Sequence, residues 1–328
     1  PPGREFGYAA VSGDASDPQV IIASTFNRYG SDGGEEIFRS RDGGETWKPV
    51  FKTGGTIDSG LAPYTAHTRI HWLFDIEIDP FDPDHAMFTT GYGGHETFKL
   101  TAMDHGEPTK WVVMSTGIEE TVALELLSPP KGAQLITAVG DYGGSVHWEL
   151  DIPAPDGNFD NPRFGNTNSV ACAEKNPDII VRTGRATNDN PGKNIGYSED
   201  GGKTWQPSAS IPDPACALGR IAVSSDGKIW IWAPDPFRVA STGADRSIIQ
   251  FPVYYTADKG ISWTECKGIP PTTRVIADRV TPGKFYAMDL FKGILYISTD
   301  GGANFTEQSI NLPGGLPKQG GYRGDSRG

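Results

Sequence analysis

An all-β fold assembled from repeated four-stranded sheets is what this sequence predicts, and three observations predict it. A turn motif is written four times, a second turn-into-strand signal recurs ahead of it, and no segment carries sustained helical periodicity. The motif reads SRDGGETW from Ser40, SEDGGKTW from Ser198, TADKGISW from Thr256 and STDGGANF from Ser298. Its glycines permit the positive φ of a tight turn, its aspartate can accept the turn's N–H groups, and its Trp47, Trp205 and Trp263 can fold back over apolar gaps. The starts lie 158, 58 and 42 residues apart. An interval of roughly 50 is that of one four-stranded propeller blade. Two looser copies fill the long gap: TAMDHGEPTKW from Thr101 keeps Asp, Gly, Thr and Trp, and GGSVHW from Gly143 keeps only the position.

The second signal is a Pro or Gly turn running into an apolar strand. It occurs at Asp17 (DPQVIIAS), Asp82 (DPDHAMFTT), Pro129 (PPKGAQLITA), Asn176 (NPDIIVRT), Ser225 (SDGKIWIW) and Thr281 (TPGKFYAM). Six blades follow, beginning near residues 7, 70, 120, 167, 217 and 273. A seventh is expected to be missing or truncated, because LPGGLPKQGGYRGDSRG has too few β-formers to make one. The expected division is a propeller over residues 7–313 and a Gly/Pro-rich tail over 314–328.

Composition narrows the partners. A formal charge of −12, with no basic cluster, repels phosphate backbones and anionic membranes, so neither nucleic acid nor membrane is expected as a partner. No run approaches the length of a membrane span, and PPGREFGY has no leader-like core. Cys172, Cys216 and Cys266 show no zinc spacing; they read as buried apolar residues, with room for one disulfide. No metal and no cofactor is expected.

Two stretches go beyond what turns and strands require. In HWLFDIEIDP (71–80), Asp75, Glu77 and Asp79 alternate with Phe74, Ile76 and Ile78, placing three acids about 7 Å apart on one strand face. That spacing overlaps the carboxylate separation of inverting glycosidases, although a solvated strand face is the plainer reading. In ITAVGDYGGSVHWELD (136–151) an apolar strand ends at Gly140 and Asp141, with Tyr142, His147 and Trp148 following. An acid beside rings suits a sugar site, since flat apolar faces stack on pyranose C–H surfaces; an ordinary turn aspartate is the alternative. The repeated Asp42, Asp200, Asp258 and Asp300 read as turn clips, because one active site does not need copies around a ring.

The succession GGETWKPV, HWLFDIEIDPFDPDHAMFTTGYG, GIEETVALELLSPPKGAQLITAVGDYGG, NPDIIVRTG and SEDGGKTW resembles the second, C-terminal propeller of glycoside hydrolase family 74, the xyloglucan-degrading enzymes. The resemblance implies two face-to-face propellers that hydrolyse β-1,4 links of xyloglucan or a related β-glucan with inversion, each supplying one catalytic aspartate. The second propeller's aspartate maps onto Asp141 in AVGDYGG, as general acid. A first propeller carrying the general base is the implied partner, this chain then being one half of the enzyme. Ser145 stands where an aromatic is usual, and Trp148-Glu149 where acids are usual. The polymeric substrate implies secretion.

Rings outside the clips supply the expected sugar platform: Trp72, Tyr92, Tyr142 and Trp148, with His147 in reach of a substrate hydroxyl. Trp111 is assigned to the decayed second copy, and Trp230 and Trp232 to a core strand face. Two other readings compete. A non-catalytic glycan-binding propeller would bind without cleaving; a sialidase would need an Arg-Ile-Pro segment that is not present.

Overall fold

The computed structural model describes residues 7–26, 34–68, 70, 72–118, 121–188, 191–238, 248–289 and 291–311. The predicted tail, its RGDS string included, lies outside the described residues. The chain divides into two compact units, Pro1–Glu120 and Thr121–Gly328.

The first unit holds two sheets. One runs Gly7–Gly13, Ile21–Phe26, Ile37–Ser40, Lys48–Pro49 in chain order. The other runs Asp75–Asp79, Asp82–Thr90, Gly93–Thr97, Lys110–Val113, with Thr56–Asp58 added parallel to its outer strand, giving five strands where four were expected. Between the two sheets lies one apolar cluster, including Ile22, Ile37, Leu73, Ile76, Phe88 and Trp111.

The second unit holds four sheets and a small ribbon, Phe237–Arg238 with Ile248–Ile249. Its first sheet has three strands, Ala123–Leu127, Leu135–Val139 and Val146–His147. GGSVHW, expected to keep the motif's position, falls instead on the turn between the second and third strands and on the third strand itself, and no fourth strand pairs with this sheet among the described residues. Three four-stranded sheets follow, beginning at Phe164–Ala173, Arg220–Val223 and Val275–Ala277. The six sheet starts fall at or close to the six predicted blade starts. Successive sheets of this unit pack face to face through three apolar clusters, and both Trp230 and Trp232 are buried in the middle one.

The repeated motif is a clip. Ser40 Oγ donates to Asp42 Oδ1 at 2.8 Å and accepts from Gly44 N at 2.9 Å, while Asp42 Oδ1 accepts from Thr46 N at 2.9 Å. Thr46 Oγ1 closes the ring on the other carboxylate oxygen. The same pattern recurs at Ser198/Asp200/Thr204, Thr256/Asp258/Ser262 and Ser298/Asp300/Asn304. These donors, the Thr46 hydroxyl foremost, hold the Asp42 carboxyl down at about 2. Asp258 is likewise held at about 2, chiefly by the Ser262 hydroxyl. Trp47 and Trp205 return their indole N–H to the turn carbonyls of Gly44 and Gly202, whereas Trp263 reaches Ser210 O instead.

The two sequence signals belong together. Gly43 N donates to Gln19 O, Gly201 N to Asp178 O and Gly301 N to Gly283 O, each at 2.9 to 3.0 Å. Each of these three clips is thus bonded to the turn between the first two strands of its own sheet, or to the residues just after it. In an antiparallel sheet of consecutive strands these two turns share one end, and the turn between the second and third strands lies at the other. In the decayed second copy Asp104 no longer clips: it takes a bidentate bond from Arg39, at 3.1 and 2.8 Å. Trp111 is fully buried and donates to Thr109 Oγ1 at 3.0 Å.

Candidate functional site

Asp141 sits in the turn between the second and third strands of its sheet, at the end away from the clips. It is a non-glycine residue at φ 65°. The left-handed region costs an ordinary L-residue about 1–2 kcal/mol, and aspartate tolerates it best after asparagine and glycine. Neighbouring bonds fix the turn: Gly140 N donates to Val122 O at 2.9 Å, Tyr142 N to Gly140 O at 2.7 Å, and Asp141 N to the Asn166 side-chain oxygen at 2.7 Å. Behind it the chain is pressed against its surroundings. A Cβ on Gly143 would stand 2.6 Å from Phe164 O, and one on Gly144 only 1.9 Å from Thr137 O, so both positions require glycine. Phe159 N adds a bond to Gly144 O at 2.8 Å. The Asp141 side chain is exposed, and its carboxylate has no partner among the described residues. A rigid turn presenting an uncommitted carboxyl is equipped to exchange a proton with a bound ligand.

The residues expected around Asp141 are distributed less simply. Tyr142 is only 7% exposed, so its expected openness is corrected: the Gly143-Gly144 bend carries the ring inward. His147 is half-buried on Val146–His147, its Nε2 3.4 Å from Thr137 Oγ1, and burial lowers its pKa below the ordinary histidine value. Trp148 is half-buried against the apolar cluster holding Ile136, Phe159 and Trp205.

Trp72 and Tyr92 belong to the first unit, Asp141 to the second. Trp72 is 51% exposed and held at φ 52°, a conformation of real cost for so bulky a residue. Tyr92 is half-buried in the turn after Asp82–Thr90, its N–H bonded to Thr90 Oγ1 at 3.0 Å. Within that sheet Phe74 N donates to Thr89 O, so the strand entry after Trp72 and the Tyr92 turn share one end. Phe74, which alternation sets on the same face as Ile76 and Ile78, is 52% exposed there and lies against Phe26 at 5.3 Å between ring centres. Sequence reasoning missed both phenylalanines; the signal available was that Phe74 precedes the ladder, so alternation does not govern its face.

The acidic strand is a structural face. Glu77 accepts from Ser12 Oγ at 2.6 Å, and Asp79 takes Phe81 N at 2.8 Å and contacts His85 Nδ1 at 3.0 Å. The three cysteines are free and buried, burial pushing Cys172 up to about 11 and Cys216 and Cys266 up to about 12. In the second unit a cavity of about 480 Å³ lies between the first strands of its four sheets. Glu125 on its wall binds Arg274 at 3.0 Å and Arg220 at 3.4 Å.

The BNR/Asp-box repeat family matches residues 38–49 and 197–207, within two of the four clips. Over 96% of its length the chain is 35% identical to a xyloglucanase of Paenibacillus sp., and 34% identical to one of Acetivibrio thermocellus. The crystal structure of the GH74 xyloglucanase from Xanthomonas campestris superposes on 93% of the chain with a TM-score of 0.78 at 37% identity. The chain is similar to glycoside hydrolase family 74. The chain spans 31% of the Paenibacillus protein, 37% of the Acetivibrio protein and 41% of the Xanthomonas one, an extent consistent with one propeller of a family 74 pair.

Proposed function

We propose that this chain is the second-propeller half of a secreted, inverting glycoside hydrolase that cuts the β-1,4-glucan backbone of xyloglucan, with Asp141 as its general acid. The observation that carries the reading is the Asp141 turn, a braced, left-handed, exposed carboxyl with no partner among the described residues, in a chain related to xyloglucanases across nearly its whole length. Protonated Asp141 gives its proton to the glycosidic oxygen as the C1–O bond lengthens. Water then attacks C1 from the opposite face, activated by a carboxylate of the first propeller roughly 6.5–9.5 Å away. No cofactor enters this chemistry. Within the second unit Trp148 would offer a ring to a glucosyl or xylosyl face, and His147 a hydrogen bond.

The test joins this chain to the complementary portion of the Paenibacillus relative and measures reducing sugar released from xyloglucan. Asp141→Asn should lower kcat by about 10²–10⁴-fold, the usual contribution of a positioned acid. Retained cleavage refutes the assignment. Calorimetric binding of xyloglucan oligosaccharides with no cleavage by the unmutated assembly replaces it with the non-catalytic glycan-binding reading.

A further inference from the structure

We infer that Asn166 is a positioning residue for Asp141, holding the carboxyl's backbone from the neighbouring sheet; this rests on reading Asp141 as the proton donor. Asn166 lies on Phe164–Ala173, at an irregularity where the register to the next strand shifts between Phe164 and Asn166. Bulges of this kind re-aim a side chain out of the regular pleat. Here the amide reaches over Gly140, whose added Cβ would stand 3.7 Å from Asn166 Oδ1, and that oxygen accepts the Asp141 N–H at 2.7 Å. Among the described residues the Asn166 side chain makes no other hydrogen bond. An amide committed solely to one N–H does little to hold the two sheets together, since apolar packing through Val170, Phe159 and Ile136 does that. It does fix the one backbone group from which the carboxyl projects. A side chain placed 1 Å away from its productive position loses much of its effect on a reacting bond.

The variants are Asn166→Ala, which removes the acceptor, and Asn166→Asp, which keeps one. Two readouts separate positioning from general weakening. The first, on the 328-residue chain itself, is NMR amide exchange at Asp141, expected to quicken at least about tenfold in Asn166→Ala and to return towards the unmutated rate in Asn166→Asp. The second compares xyloglucan with a 2,4-dinitrophenyl glycoside of a xyloglucan oligosaccharide, using the same joined assembly. Dinitrophenolate leaves without a proton, so a misplaced acid harms only the natural substrate. Asn166→Ala should lower kcat on xyloglucan about tenfold or more with KM nearly unchanged, and lower turnover of the aryl glycoside by less than about threefold. Unchanged amide exchange, or equal loss on both substrates, overturns the inference. Asp141→Asn in parallel tests the underlying reading: if it too loses both activities equally, the acid assignment fails, whereas a leaving-group dependence in Asp141→Asn alone leaves that assignment standing and removes Asn166.

Discussion

Replacing Glu125 by alanine should open the polar wall of the second unit's cavity. Phe164–Ala173 is the first strand of its sheet, so one edge of its backbone has no ladder partner; Glu125 Oε2 fills that gap by accepting Val170 N at 2.9 Å and Ser169 Oγ at 2.5 Å. The other oxygen meets Arg274 and Arg220, whose side chains are 40% and 24% exposed against 19% for Glu125 itself. Orphaning a buried backbone N–H costs about 1–3 kcal/mol, and losing the hydroxyl bond about 0.5–1.5. The ion pairs, partly in water, add about 0–1 kcal/mol each, and Arg220 keeps its bond to Asn168 O. The expected loss is therefore about 1.5–6.5 kcal/mol. Glu125→Gln keeps a carbonyl oxygen for Val170 and Ser169 and should cost about half as much or less. Urea unfolding with matched slopes measures both. A loss under about 1 kcal/mol for alanine, or equal losses for the two variants, would refute the account.

Three further outcomes are expected. With Asp42, Asp258 and Asp278 held near 2 in the fold, below the ordinary carboxylate value of 3.8, their contribution is complete above about pH 4 and is lost as pH falls towards 2; acid titration of Asp258→Ala should show a shallower decline than the unmutated chain. Lys259 stands at φ 57° in the third clip, where the other three carry glycine, so Lys259→Gly made in a Glu199→Gln background, which removes its ion pair, should raise stability by about 0.5–1 kcal/mol in chemical denaturation. The buried thiols should resist an aromatic disulfide reagent at pH 8 in the native chain, and all three should react once it is unfolded; fast native labelling of any of them contradicts their burial.

What the sequence made legible was whatever short-range chemistry encodes. The clip needs Ser, Asp, Gly and Thr within eight residues, so its copies announce the sheets, and the apolar run of KIWIWAP announces a core strand, buried on both faces. What stayed hidden depends on partners far along the chain. The bond from Asp141 to Asn166 crosses 25 residues and two sheets, and nothing near AVGDYGG names its acceptor. Tyr142 reads as an open ring in sequence, yet the two glycines after it turn it inward, an effect of backbone direction rather than of residue type. Asp104 keeps its motif position but answers to Arg39 on another strand, so a decayed repeat can hold its residues and change their work.

The clips and the Asp141 turn occupy opposite ends of the strands, and that separation has an evolutionary consequence. At the clip end, spacing is rigid: each copy closes a ring of fixed size, and an inserted residue would break it. At the other end the turns between second and third strands run from two residues, Gly91 and Tyr92, to the twenty between Ala233 and Tyr254, which include the pair Phe237–Arg238 and Ile248–Ile249. Insertions accumulate where no ring has to close. Lineages can therefore lengthen, shorten or exchange the loops beside Asp141, while the clips hold the other ends of the sheets that carry them. Chimeras that transplant only second-to-third-strand turns between relatives should fold as readily as their parents, and chimeras cut through a clip should not.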